Sequence, residues 1–163
     1  MDKRCLSLII YAIMLAIILI SGCTSNPSNQ SSCPNCTVVP SAPSGDSADL
    51  HQKGFDAYVN LDYATALDYY NQSLAADPNY TRAWIDKGNV LARMNRSAEA
   101  VSAYDSALAI DSSIAEVWNL RGKTLMAAGN YTGARDSFDH ALQLVPDYRE
   151  AQDNRNLTLA KLK

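Results

Sequence analysis

The sequence has little of what most enzymes, metalloproteins and nucleic-acid-binding proteins depend on. Its formal net charge is -3 and its pI about 5.2, so it lacks the bulk basic charge that nucleic acid requires. Its two histidines, His51 and His140, are too few and too scattered to indicate a metal centre. No Gly-rich loop or strained turn motif frames a nucleophile and a base. We therefore expect no catalytic residues, no cofactor, no metal site and no nucleic-acid partner.

Cysteine is also scarce, with four in the chain. Cys33 and Cys36 form a C-x-x-C motif, which supplies only half of the ligands of a structural zinc site. The motif lies in a proline-rich segment with no predicted helix to activate a thiol. A local disulfide and two free thiols in an oxidising compartment are the alternatives that stay open.

One long hydrophobic run is present, and it lies at the N-terminus. Lys3 and Arg4 precede an apolar stretch that extends from Leu6 to Ile20. A positive start, an apolar core and small residues at its end are typical of a secretory signal. We therefore expect residues 1–22 to be a signal peptide or membrane segment that places the following chain outside the cytoplasmic membrane, at the cell surface or in the periplasm.

The end of this run carries a second motif, ISGC, at residues 20–23. It resembles a lipobox, and the resemblance implies that Cys23 becomes the lipidated N-terminus of the mature protein. An uncleaved anchor helix and a plain signal peptide with an incidental cysteine are the alternatives.

Residues 23–46 have the composition of a tether. The segment holds four of the six prolines and eight Ser or Thr residues, with Asp46 as its one charge and no aromatic residue. Such a stretch cannot bury enough apolar surface to offset chain entropy, so we expect it to be disordered. A coil of this length spans on the order of 25 Å.

From residue 47 onward the sequence repeats with a period of 34 residues. Small, aromatic and proline positions recur in register: Gly54, Gly88 and Gly122; Ala66, Ala100 and Ala134; Tyr70, Tyr104 and Phe138; Trp84 and Trp118; Pro78 and Pro146. This period and this pattern resemble the tetratricopeptide repeat. The resemblance implies an all-α solenoid of three helix-turn-helix units, at 47–80, 81–114 and 115–148.

The expected helices follow from the same pattern. In the second repeat we expect one helix from about Thr81 to Met94 and another from about Ser97 to Ile110. The in-register glycines allow the paired helices to approach closely. Ser97 and Thr132 are expected to cap the second helix of their repeats. Residues 149–163 keep a helical apolar spacing and are predicted to form a capping helix over the last repeat.

Tetratricopeptide arrays are binding scaffolds, so the resemblance also implies a groove that takes a protein or peptide. The predicted groove residues are Phe55, Tyr58, Arg82, Asn89, Arg93, Asn119, Lys123 and Met126. The Lys and Asn clamp that some family members use for a peptide C-terminus is absent, since His51 and Phe55 stand at two of its positions. The cations among these groove residues, Arg82, Arg93 and Lys123, lead us to expect an extended ligand with acidic groups and at least one apolar anchor.

Seven of the twelve asparagines begin an N-x-S/T sequon, which is more than chance placement would give. The candidate glycosylation sites are Asn29, Asn35, Asn71, Asn79, Asn95, Asn130 and Asn156. The alternative is structural for some of them, because Asn79 and Asn130 are expected at turns.

Together these patterns predict a membrane-tethered, extracytoplasmic scaffold that binds a protein or peptide. An envelope or cell-surface assembly factor that binds a cell-wall or S-layer polymer is the alternative.

Overall fold

The computed structural model describes residues 46–163. The predicted signal segment, most of the predicted tether, Cys23, the C-x-x-C motif and the sequons at Asn29 and Asn35 lie outside the described residues. Within the described part, seven α-helices follow one another: α1 Ser47–Val59, α2 Tyr63–Ala76, α3 Thr81–Arg93, α4 Ser97–Ile110, α5 Ala115–Ala127, α6 Tyr131–Leu144 and α7 Arg149–Lys161.

The helices pack in sequence order, as the solenoid prediction requires. Each pair within a repeat is antiparallel and in close contact, and the second helix of one repeat packs on the first helix of the next. The first helices also contact one another, α1 with α3, α3 with α5, and α5 with α7. The predicted all-α fold of three helical pairs and a final helix is confirmed. We call the surface that α1, α3, α5 and α7 share the groove.

A close approach between glycine and an aromatic ring joins the two helices of each repeat. A Cβ placed on Gly54 would lie 2.7 Å from Tyr70 Cε1, one on Gly88 2.5 Å from Tyr104 Cε1, and one on Gly122 2.5 Å from Phe138 Cε1. All three rings are buried. The two columns that recur in the sequence are therefore the two sides of one repeated contact.

Three left-handed residues make the turns inside the repeats. Leu61, Asn95 and Gly129 occupy the same column, with φ of 62°, 59° and 80°. Glycine and asparagine tolerate this conformation, whereas leucine does not favour it. The first turn is therefore strained relative to its two copies.

The residue after each left-handed position is the N-cap of the second helix. Asp62 accepts a hydrogen bond from the Thr65 backbone N–H at 3.2 Å, and Asn130 accepts one from the Gly133 backbone N–H at 3.0 Å. The predicted caps Ser97 and Thr132 are wrong, because both residues lie inside their helices.

A further contact ties α3 and α5 each to the turn before it. The indole N–H of Trp84 donates to the Pro78 carbonyl at 2.9 Å, and that of Trp118 donates to the Ser112 carbonyl at 3.0 Å. In α7 the same column holds Gln152, whose amide donates to the carbonyl of Pro146. The final helix thus docks as the first helix of a fourth repeat would.

The two ends of the array carry polar residues at columns that are apolar or small inside it. Asp49 and Asp56 are exposed in α1, while Ala83 and Val90, one period later, are fully buried. In α7 the glycine column holds the exposed Asn156. Terminal units of a solenoid need such polar outer faces. Within residues 46–163, no helix combines the length and the hydropathy needed to cross a bilayer.

Candidate functional site

A pocket of about 490 Å³ opens on the groove, between the second halves of α1, α3 and α5. Four of the predicted groove residues line it: Tyr58, Asn89, Arg93 and Lys123. Tyr104, Leu120 and Thr124 also line the pocket, and the sequence analysis did not predict them as groove residues. The pocket therefore draws on all three repeats.

Arg93 supplies the most available positive charge of this pocket. It is the last residue of α3, it is exposed, and it has no ion-pair partner among residues 46–163. An unpaired guanidinium presents up to five donors in a planar fork that matches a carboxylate. Arg93 can therefore bind an anionic group without giving up an existing contact.

The other two predicted cations are engaged. Arg82 Nε lies 3.2 Å from Asp86 Oδ2 on its own helix, and Lys123 Nζ lies 2.7 Å from Glu150 Oε1 of α7. Both cations are well exposed, so these pairs are weak and can exchange. The groove is therefore less cationic than the sequence analysis expected, because these two carboxylates neutralise the charge of Arg82 and Lys123.

Asp86 also organises the contact between the first two repeats. Its Oδ2 lies 2.8 Å from His51 Nε2, and its Oδ1 accepts a hydrogen bond from the Asn89 amide at 3.3 Å. The His51 ring packs edge-on against Tyr80, with centroids 5.2 Å apart. Asp86 thus stabilises the contact between the two repeats, a role that the sequence pattern did not indicate.

Tyr104 fixes the orientation of Asn89 at the pocket floor. Its hydroxyl donates to Asn89 Oδ1 at 2.9 Å. Burial raises the pKa of Tyr104 to about 12, and the negative charge of Asp86 adds to the effect. The phenol therefore stays protonated at neutral pH and holds its donor role.

Two predicted groove residues lie beneath the capping helix. The side chain of Asn119 is 1% exposed, and its amide donates to the Tyr148 hydroxyl at 3.2 Å and accepts from Asn154 at 3.4 Å. Met126 is half-buried, and its sulfur accepts a hydrogen bond from the Thr158 hydroxyl. This placement corrects the expectation for Asn119, whose polar atoms serve the α5–α7 contact and do not face a ligand. Phe55 remains exposed on the groove.

The described sequons fall in three kinds of position. Asn71 and Asn156 lie within α2 and α7, while Asn79 and Asn95 lie in turns. Asn130 uses its side chain to cap α6. All five asparagines are exposed, and Asn95 also lines the pocket. Among residues 46–163, no group of three or more His, Cys, Asp or Glu side chains lies close enough together to hold a metal ion.

Comparison with known families identifies the repeat. The model described as tetratricopeptide repeat matches residues 52–115 and 85–149, which together make up more than half of the chain. The protein belongs to the tetratricopeptide repeat family. No curated protein is similar enough to count as a match.

Solved structures share the fold. The first TPR domain of Spaghetti (RPAP3), bound to the HSP90 peptide SRMEEVD, is 23% identical, covers 72% of this chain and 93% of its own, and has a TM-score of 0.69. The Arabidopsis OM64 TPR domain is 20% identical, with coverages of 69% and 93% and a TM-score of 0.65. The yeast Sti1 TPR2B domain in complex with pHsp70 is 16% identical, with coverages of 71% and 97% and a TM-score of 0.67. At these identities the likeness establishes the fold alone.

Proposed function

We propose that this protein is a scaffold that binds an extended segment of another protein in its groove, while its N-terminus holds it at the outer side of a membrane. The observation that carries the binding proposal is the pocket at the junction of the three repeats. It combines an unpaired arginine, a positioned amide and an aromatic wall, supplied by Arg93, Asn89 and Tyr58. Such a mixture of apolar surface and a few placed polar groups is typical of ligand sites.

Solved relatives support the choice of a peptide as ligand. Two of them were solved with chaperone-derived partners, an HSP90 peptide and pHsp70. The Lys and Asn clamp for a peptide C-terminus is absent here, because His51 and Phe55 stand at two of its positions. The ligand of this protein is therefore a different segment, with its own arrangement of side chains.

The charges of the pocket favour a carboxylate on that segment. Arg93 is free to bind one, and Lys123 can exchange Glu150 for a ligand carboxylate, since its ion pair is half-exposed. A two-pronged arginine contact to a carboxylate is stronger than a lysine contact. Arg93 is therefore the residue whose loss should weaken binding most.

The sequence supports the membrane part of the proposal. A positive end, an apolar run and the ISGC motif precede a Ser- and Pro-rich segment that leads to the first repeat. One acyl chain binds membranes only weakly, so firm attachment through Cys23 needs more than one. The tether would hold the repeats within on the order of 25 Å of the surface.

An affinity experiment tests the proposal. The full-length chain, solubilised with its native envelope, should retain a discrete polypeptide at fixed stoichiometry. Arg93→Ala should reduce that retention, whereas Arg149→Ala should not, because Arg149 is an exposed arginine that does not line the pocket. Retention of a sugar polymer in place of a polypeptide would favour the envelope-polymer alternative and contradict the scaffold.

A further inference from the structure

The 34-residue register continues through the capping helix and extends the groove by one helix. Leu157 of α7 follows Lys123 by one period, and Lys161 follows Ala127. Two groove-facing columns therefore run across all four helices. They contain Phe55, Asn89, Lys123 and Leu157 in one column, and Val59, Arg93, Ala127 and Lys161 in the other. We call these eight residues the distal stripe, since they lie in the second halves of their helices.

The distal stripe differs in charge from the rest of the groove. It holds three cations and no acidic residue, and one of the cations, Lys123, is paired with Glu150 from outside the stripe. The acidic residues Asp86, Glu116 and Glu150 lie toward the starts of the same helices. The unpaired cation Arg93 therefore attracts an acidic ligand to the distal stripe, whereas Arg82 in the proximal half is paired with Asp86.

Each end of the distal stripe presents an apolar side chain that is open to water. Phe55 is 41% exposed at the first-repeat end, with Val59 beside it, and Leu157 is 60% exposed at the α7 end. A single exposed apolar residue is ordinary on a protein surface. Here Phe55 and Leu157 belong to the same column, and the polar residues Asn89 and Lys123 lie between them. A ligand that crosses the groove would therefore contact an apolar residue, then two polar residues, then a second apolar residue.

We propose that α7 is the fourth wall of the binding groove, and that the ligand is an extended segment with an acidic centre and an apolar side chain toward each end. The inference rests on the proposed function and adds the register of the ligand. Neighbouring helices lie about 9 Å apart, so three spacings separate Phe55 from Leu157 by ~27 Å. An extended chain advances about 3.3 Å per residue, so the two apolar side chains stand about eight residues apart.

Three fluorescein-labelled synthetic peptides test this register on the full-length chain by fluorescence anisotropy. One carries an acidic centre with leucine near both ends, and the other two replace one or the other leucine by serine. The parent protein should bind the first peptide about tenfold more tightly than either of the others, because each leucine buries apolar surface. Each of the variants Leu157→Ser and Phe55→Ser should bind the two-leucine peptide no more tightly than one of the serine peptides. Each should still bind the other serine peptide more weakly.

Leu144→Ser is the matched control, since Leu144 is 42% exposed but lies at the end of α6, away from the groove. It should bind all three peptides as the parent does. If Leu157→Ser also behaves as the parent while Arg93→Ala weakens every peptide, the groove binds peptides but α7 is not part of it, and the inference is overturned. If a folded parent binds none of the peptides and Arg93→Ala leaves retention of the natural partner unchanged, the proposed function itself fails. A dimer in sedimentation that Leu157→Ser dissociates would overturn the inference in favour of a second copy of the chain.

Discussion

Replacing Gly88 by alanine adds one methyl group at the tightest contact inside the second repeat. The new Cβ would lie 2.5 Å from Tyr104 Cε1, 2.8 Å from Cδ1 and 2.9 Å from Cζ. Carbon atoms do not approach so closely without strain, and the ring cannot swing into solvent because it is buried within the core of the array. The helices must therefore separate or the ring must tilt.

Three terms set the size of the effect, one of them stabilising and two destabilising. Alanine in a helix interior is favoured over glycine by about 1 kcal/mol. Overpacking a close-packed core costs typically about 1–3 kcal/mol and sometimes more. Displacing the ring also weakens the hydrogen bond from the Tyr104 hydroxyl to Asn89, which is worth about 1 kcal/mol. The sum predicts that Gly88→Ala destabilises the array by about 1–3 kcal/mol.

Urea unfolding followed by circular dichroism measures this change, and a second variant identifies its cause. Tyr104→Leu removes the ring, so the double variant Gly88→Ala with Tyr104→Leu should lose less stability than the sum of the two single variants. A Gly88→Ala protein with an unchanged or higher urea midpoint would show that the glycine column does not serve close helix contact.

Three further outcomes are expected. Leu61→Asn should stabilise the array by about 0.5–1 kcal/mol in urea unfolding, because Leu61 is 71% exposed at φ 62°, where asparagine is tolerated; an unstable variant would contradict the strain argument. Burial raises the pKa of Tyr104 from 10.0 to about 12, so its contribution to stability is complete below pH 10 and lost as the pH rises toward 12; stability of Tyr104→Phe should fall less over that range, and parallel curves would refute this. Mass spectrometry of the N-terminal peptide should show a lipidated Cys23 as the first residue, and an intact Met1 would exclude it.

The fold could be predicted closely because the repeat pattern reflects helix packing directly. Gly88 and Tyr104 recur in the sequence since each repeat needs the same close contact, and the period fixed which residues begin each helix. The N-terminal caps of the helices were harder to predict. Asn130 and Asp62 cap their helices one residue after the left-handed turn position, whereas the prediction for the third repeat was Thr132, two residues after Asn130.

The site could be predicted only in part, because groove columns identify a face of a helix and not the neighbours of a side chain. Asn119 contacts Tyr148, the N-cap of α7, and Lys123 contacts Glu150 in its first turn, both about 30 positions later in the chain. The sequence of α5 alone does not predict those contacts. Leu157 is different, since one further addition of the repeat period leads from Lys123 to it.

Site-specific photo-crosslinking in the native membrane tests most directly whether the groove binds the partner. A photoreactive residue replaces Ala92, which lines the pocket on α3, and in a second protein it replaces the exposed Leu144 on α6. The Ala92 position should give one discrete crosslinked polypeptide, identified by mass spectrometry, and the Leu144 position should not. Adducts formed only from Leu144, or equally from both positions, would contradict the proposal that the groove is the binding site.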